Sequence, residues 1–201
     1  MTDDWVLAVD FGTTYTIAAV QRRGEPAQLV DFDGERRLPS VVFVDDDGSV
    51  LVGRTAEMLI VGQPDRGLRS PKALLGQPTP AVLGGQTLAI SELVGAVLSA
   101  THRAAGALFS DPPVAVWLTH PADWNRRQLD QFLRAADVAG ITAPGLVSEP
   151  EAAAWAMAAN HPLRVGAAVL VFDLGGGTLD TAVLRRTESG FDPVGRPRGD
   201  R

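Results

Sequence analysis

The sequence predicts an α/β protein, a mixed sheet flanked by helices. Three observations carry that expectation. Short apolar runs follow one another at the N-terminus as a three-stranded meander, helical and strand patterns alternate from residue 91 onwards, and an apolar run near each end leads through a Gly/Thr turn into another run. Consecutive strands followed by alternating helix and strand pack as α/β layers.

In order, Trp5 to Asp10 reads as the first strand, Tyr15 to Gln21 returns after the turn Phe11-Gly12-Thr13-Thr14, and Ala27 to Phe32 is a third short run. Ser40 to Val44 and Ser49 to Val52 flank Asp45-Asp46-Asp47-Gly48, whose Asp-Gly end is a hairpin signal. A short helix is expected over Arg54 to Val61, and Gly62 to Thr79, rich in Pro, Gly and Arg, reads as loop. Ser91 as N-cap and Glu92 in the first turn open a helix to about Phe109, which Asp111-Pro112-Pro113 ends. Val114 to Leu118 is a strand, Asn125 to Ala139 an amphipathic helix closed by Gly140, and Leu146-Val147 a short strand. Glu151 to Asn160 is an Ala-rich helix, and Ala167 to Phe172 with Leu179 to Arg185 makes a last hairpin. The Gly, Pro and Arg-rich remainder, 187–201, is expected to be a flexible tail.

Composition removes several function classes. The 201 residues carry a net charge of −6 without a Lys/Arg cluster, which argues against nucleic acid and anionic membrane surfaces as partners. With no cysteine, thiolate metal sites and thiol nucleophiles are excluded, and the acidic N-terminus lacks the basic start of a signal peptide, so a cytoplasmic location is expected. His102, His120 and His161 lack metal-ligand spacing. Of 18 basic residues Lys72 is the sole lysine, and Arg does not replace Lys where a compact ammonium is needed.

The chain repeats itself once. Val6 to Thr14 aligns with Val169 to Thr178, with one extra Gly in the second copy: an apolar strand, Asp10 or Asp173, an apolar residue, and a Gly/Thr turn into another strand. Gly and Thr at a hairpin tip turn backbone N–H groups into one concavity that binds anions, phosphate above all. An Asp beside it would repel phosphate unless a cation lies between them, and Mg²⁺ suits that place, being held by one or two carboxylates plus phosphate oxygens. A single copy would read as an ordinary tight turn. Two matching copies favour phosphate, and neither is a Walker A loop.

These residues resemble the nucleotide-binding domain of DnaK-type chaperones, the seventy-kilodalton heat-shock family within the actin-like ATPase superfamily. Asp10 to Thr14 is similar to the family's first phosphate motif, and Phe172-Asp173-Leu174-Gly175-Gly176-Gly177-Thr178-Leu179-Asp180 to its second, with Leu179 in place of the usual Phe. Leu38-Pro39-Ser40-Val41-Val42, Pro121-Ala122-Asp123-Trp124-Asn125 and Ser148-Glu149-Pro150-Glu151-Ala152-Ala153-Ala154 resemble further family segments, and Lys72-Ala73-Leu74-Leu75-Gly76 resembles the one carrying the catalytic lysine.

The resemblance implies an actin-like ATPase (ribonuclease-H-like) fold and a Mg-ATP-binding module that couples hydrolysis to protein folding. It implies catalytic roles for Lys72, Glu149 and Asp173. Gly12, Thr13, Thr14, Tyr15, Gly175, Gly176, Gly177 and Thr178 would contact nucleotide, and Asp10, Asp173 and Asp180 would hold metal. ATP or ADP, Mg²⁺ and K⁺ are the implied ligands. Unfolded clients, J-domain proteins and nucleotide-exchange factors are the implied partners of a full-length form, and Pro121 would belong to a hinge relay. In these terms 1–166 is a first lobe with an inserted subdomain at about 38–112, 167–186 a phosphate-binding hairpin beginning a second lobe, and 187–201 the tail. A hairpin without further sheet partners predicts an uncovered apolar face, weak nucleotide affinity and little turnover for this chain alone. A noncatalytic binding or regulatory homologue is the alternative. A sugar or acetate kinase relative fits less well, because the Pro39-Ser40 and Lys72 segments look like chaperone features.

Overall fold

A computed structural model of the chain describes residues 4–174, 179–195 and 198–200, with the backbone alone at 179, 180 and 198–200. The chain forms two compact units, 1–118 with 125–145, and 119–124 with 146–201.

In the first unit β1 (Trp5–Phe11) and β2 (Tyr15–Arg22) form an antiparallel hairpin, and β3 (Gln28–Leu29) and the two-residue β4 (Leu38–Pro39) both pair with β2. On the other side of β1 runs β10 (Ala115–His120), in parallel register from Val6 opposite Ala115 to Val9 opposite Leu118. The sheet is therefore mixed, as the sequence predicts. Trp5, Leu7, Val9 and Phe11 alternate inward along β1 and are fully buried, each worth about 1.5–3 kcal/mol of apolar burial. Trp5 stacks on Phe109 at 4.0 Å and donates from Nε1 to the Asp111 carbonyl, while Phe11 stacks on Phe132 at 5.7 Å.

Between these strands, β5 (Val41–Val44) pairs with β6 (Val50–Val52), α1 (Gly53–Gly62) packs on β5, and β7 (Gly67–Arg69) adds to the other edge of β5. The segment 62–79 is thus more than loop: it contains β7 and single 3₁₀ turns at Pro64–Arg66 and Pro71–Leu74. A further hairpin, β8 (Ala81–Leu83) with β9 (Gln86–Leu88), turns on Gly84 and Gly85, both at positive φ.

Helix α2 (Ile90–Gly106) begins one residue before the expected cap Ser91; Glu92 reaches back to accept from the Ala89 N–H at 2.7 Å, so Ala89 occupies the cap position. Asn125 caps α3 (Arg126–Val138) by accepting from the Gln128 N–H, and Gln128 Oε1 accepts from the Asn125 N–H in return, a complete capping box. The two helices cross closely at Gly95, where a β-carbon would lie 2.7 Å from the Val138 side chain and 3.0 Å from the Ala135 carbonyl.

In the second unit β11 (Gly145–Ser148) leads into α4 (Glu149–Asn160), and β12 (Ala168–Leu174) and β13 (Leu179–Arg186) form the second hairpin. One face of that hairpin packs on α4 through Val169, Leu184 and Ala154, which is why α4 groups with it and the second unit takes in residues well before 167. Its other face is bare as expected: Leu170, Phe172 and Leu174 are 55%, 66% and 81% exposed. The segment expected as a tail folds back instead. β14 (Phe191–Pro193) pairs with the end of β13 and β15 (Arg198–Asp200) with its start, so the hairpin has sheet partners after all. Phe191 is buried, edge-on to Trp155 at 5.3 Å, with the Arg186 guanidinium over both rings. That apolar anchor outweighs the Gly/Pro composition around it. Among the described residues no helix is long and apolar enough to cross a membrane.

Candidate functional site

The first tip, Gly12 to Tyr15, is closed by a bond from the Gly12 N–H to the Tyr15 carbonyl at 3.1 Å. A β-carbon on Gly12 would run into that same carbonyl oxygen, so only glycine permits the closure. Ser40, fully buried beyond β4, ties the tip down: its Oγ donates to the Gly12 carbonyl at 2.9 Å and lies 3.0 Å from the buried Thr16 hydroxyl, and its N–H donates to the Thr14 carbonyl at 2.8 Å. With these three carbonyls engaged, the geometry of Gly12-Thr13-Thr14 is set by the fold itself. Asp10 stands one residue before the end of β1 and Tyr15 opens β2.

Lys72 is buried, 7% exposed, within the 3₁₀ turn Pro71–Leu74, and its Nζ lies 5.9 Å from the centre of the Phe11 ring. The structure thus brings Lys72 to the residue that precedes the tip. On the residue that ends the tip, Tyr15, lies the guanidinium of Arg37, 4.2 Å from the ring centre. Arg37 is not among the residues expected from sequence, and Ser40 enters there only as part of the Leu38-to-Val42 segment without a site role; the Arg36-Arg37 pair directly before that segment is the available signal for Arg37.

In the second unit, Asp173 stands one residue before the end of β12 and pairs with Asp180 across the hairpin, as Leu174 pairs with Leu179. In the first hairpin Asp10 pairs with Ile17 and Phe11 with Thr16. Both registers enclose the same span, Gly12 to Tyr15 and Gly175 to Thr178. The extra Gly of the sequence alignment is therefore absent: Thr178 corresponds to Tyr15, and Asp180 to Ile17. Gly175, Gly176, Gly177 and Thr178 themselves, and the Asp180 side chain, lie outside the described residues.

Glu149 and Asp173 line one cleft together with Asp123 and Thr181. Its volume is about 10 Å³, the space of one water molecule. Glu149 is the first residue of α4, whose cap is Ser148, its Oγ accepting from the Glu151 N–H at 3.4 Å; the acidic first turn suits the positive end of the helix. Pro121 opens a turn in which its carbonyl accepts from Trp124 N–H and faces His120 Nδ1 at 2.8 Å. Sequence reasoning gives no site role to Asp123 or Thr181, although Asp123 lies within the Pro121-to-Asn125 segment and Thr181 follows Asp180. Among the described residues no three His, Asp or Glu side chains are grouped to hold a metal ion.

The second hairpin repeats the first in strand register, aspartate position and tip length, and Lys72 and Glu149 each sit beside one copy. The sequence model of the Hsp70 protein family matches residues 6–83 and 79–194. The chain is 33% identical over 185 residues to the chaperone protein DnaK of Halobacterium salinarum, an alignment that takes in 92% of this chain and 29% of that protein. The chain therefore belongs to the Hsp70 family.

Proposed function

We propose that the chain binds and hydrolyses Mg-ATP as part of a cytoplasmic chaperone cycle. The doubled hairpin carries this reading: two aspartates, each one residue before a strand end, beside two Gly/Thr tips of equal span. The Thr13 and Thr14 backbone N–H groups and hydroxyls, with Tyr15, bind phosphate oxygens around the turn that Gly12 closes, and Gly175 to Thr178 take the same part in the second copy. Lys72 stabilises charge that develops on the γ-phosphate. Glu149 and Asp173 hold the attacking water in their one-molecule cleft and take up its proton.

The acidic groups suit Mg²⁺ rather than a transition metal. Asp10, Asp173 and Asp180 offer carboxylate oxygens, and Mg²⁺ is commonly held by one or two carboxylates, phosphate and its own waters. When bound, Mg²⁺ neutralises oligophosphate charge, and K⁺ is proposed as its companion. Clients, J-domain proteins, exchange factors and the Pro121 relay belong to the same proposal for a longer protein.

Titration calorimetry with Mg-ATP and single-turnover hydrolysis test the reading. Asp10→Asn and Asp173→Asn should weaken nucleotide binding with Mg²⁺ and leave metal-free binding nearly unchanged. Lys72→Met, which keeps the buried stem, should slow hydrolysis about 100-fold, the scale of losing one transition-state donor. Equal effects with and without metal, or unchanged hydrolysis in Lys72→Met, would remove these residues from the mechanism. Binding without turnover would identify the noncatalytic homologue.

A further inference from the structure

We infer that Arg37 is a second cationic anchor of the first tip and contacts the oligophosphate of the ligand there; the inference rests on the nucleotide reading above. The tip is bracketed by two aromatic residues, Phe11 before it and Tyr15 after it, and each has a cation against its ring: Lys72 at 5.9 Å and Arg37 at 4.2 Å. Stacking of this kind holds a guanidinium plane in place while leaving its N–H edge available for hydrogen bonds.

The backbone fixes the position as strongly as the ring does. Arg37 directly precedes β4, whose Pro39 pairs with Tyr15 and Leu38 with Thr16, and Ser40 on the far side of β4 is bonded to Gly12, Thr14 and Thr16. Arg37 is thus carried by the segment that shapes the tip. It is exposed, and no described carboxylate pairs with it, whereas Arg54 pairs with Glu35 at 2.8 Å. A guanidinium beside a Gly/Thr anion nest, with no counter-charge paired to it among the described residues, matches phosphate in geometry and in sign. Lys72, buried and compact, serves as a point charge; Arg37, planar and exposed, suits two oxygens of one phosphate or of neighbouring ones.

The test is titration of inorganic triphosphate, and separately of adenosine, into the full chain and into Arg37→Gln and Arg37→Lys, at low and at raised salt. Arg37→Gln should weaken triphosphate about ten-fold, the lower end for losing a hydrogen bond to a charged group, with Arg37→Lys intermediate and adenosine unaffected. The salt dependence of triphosphate binding should become shallower in Arg37→Gln. Triphosphate binding by Arg37→Gln equal to that of the unsubstituted chain would overturn the role of Arg37 and leave the nucleotide reading standing. Equal weakening toward adenosine and triphosphate would mark a structural loss and overturn the role as well. Absence of triphosphate and ATP binding in the unsubstituted chain would overturn both.

Discussion

The Ser40–Thr16 pair offers a quantitative test of how the first tip is held. Both residues are fully buried, their hydroxyls are 3.0 Å apart, and Ser40 Oγ donates onward to the Gly12 carbonyl. Every buried side-chain polar atom among the described residues has a partner, so no spare group can substitute. Ser40→Ala leaves the Thr16 hydroxyl and the Gly12 carbonyl without that partner, at a cost of about 1–3 kcal/mol. Thr16→Val removes one bond and leaves Ser40 its Gly12 acceptor, so its cost lies near 1 kcal/mol. The double variant no longer strands the Thr16 hydroxyl and should be less destabilised than the sum of the singles by about 1 kcal/mol. Taking about 2 kcal/mol for Ser40→Ala, the melting temperature should fall by about 4–8 °C for a chain of this size. Urea unfolding of the four cycle members measures the coupling. Exchange of the Ser40 amide, bonded to the Thr14 carbonyl at 2.8 Å, reports whether the tip opens locally. Additivity within about 0.3–0.5 kcal/mol, with Ser40 amide protection unchanged in Ser40→Ala, would refute the tethering argument.

Two further outcomes follow from the same structure. Gly12→Ala and Gly95→Ala separate function from stability: the first distorts the tip at the Tyr15 carbonyl and should lower phosphate affinity, whereas the second wedges α2 from α3 at about 1–3 kcal/mol and should leave the affinity of the folded protein unchanged. Calorimetric titration and denaturation of both variants check the pair. Asp47 accepts from the Ser49 N–H at 2.9 Å, which holds its carboxyl below the ordinary aspartate value. Because the folded value is depressed, its contribution to stability is present above the unfolded value and is lost as pH falls through the folded one. An NMR titration placing Asp47 at or above the ordinary aspartate value would contradict the bond.

The elements that sequence made legible are those whose pattern repeats along the chain. Alternation along Trp5 to Phe11, the Asn125/Gln128 box and the Asp-Gly/Thr tips each contain their own signal. What escaped is decided by partners far away in sequence. Gly67-Leu68-Arg69 becomes a strand only because β5 presents a free edge beside it, and Phe191 orders 191–193 only because Trp155 and Arg186 stand ready to receive it. The same holds at the site. The tips could be read from spacing, but Arg37 reaches Tyr15 through the pairing of β4 with β2, and Asp123 joins Glu149 and Asp173 through a turn around Pro121. The register likewise corrects the sequence alignment, because cross-strand pairing counts residues that motif matching had shifted by one glycine.

That equal register has a consequence for polarity. Position for position the hairpins match, yet their companions differ in sign. The first tip has Lys72 against the Phe11 ring and Arg37 against the Tyr15 ring, while Asp173 beside the second shares its cleft with Glu149 and Asp123. Two copies of one backbone device have become a cationic and an anionic terminal. Under the proposed nucleotide reading the first hairpin offers cations to phosphate and the second offers carboxylates to a hydrated cation, so opposite charging of one repeated device divides two kinds of contact between its copies.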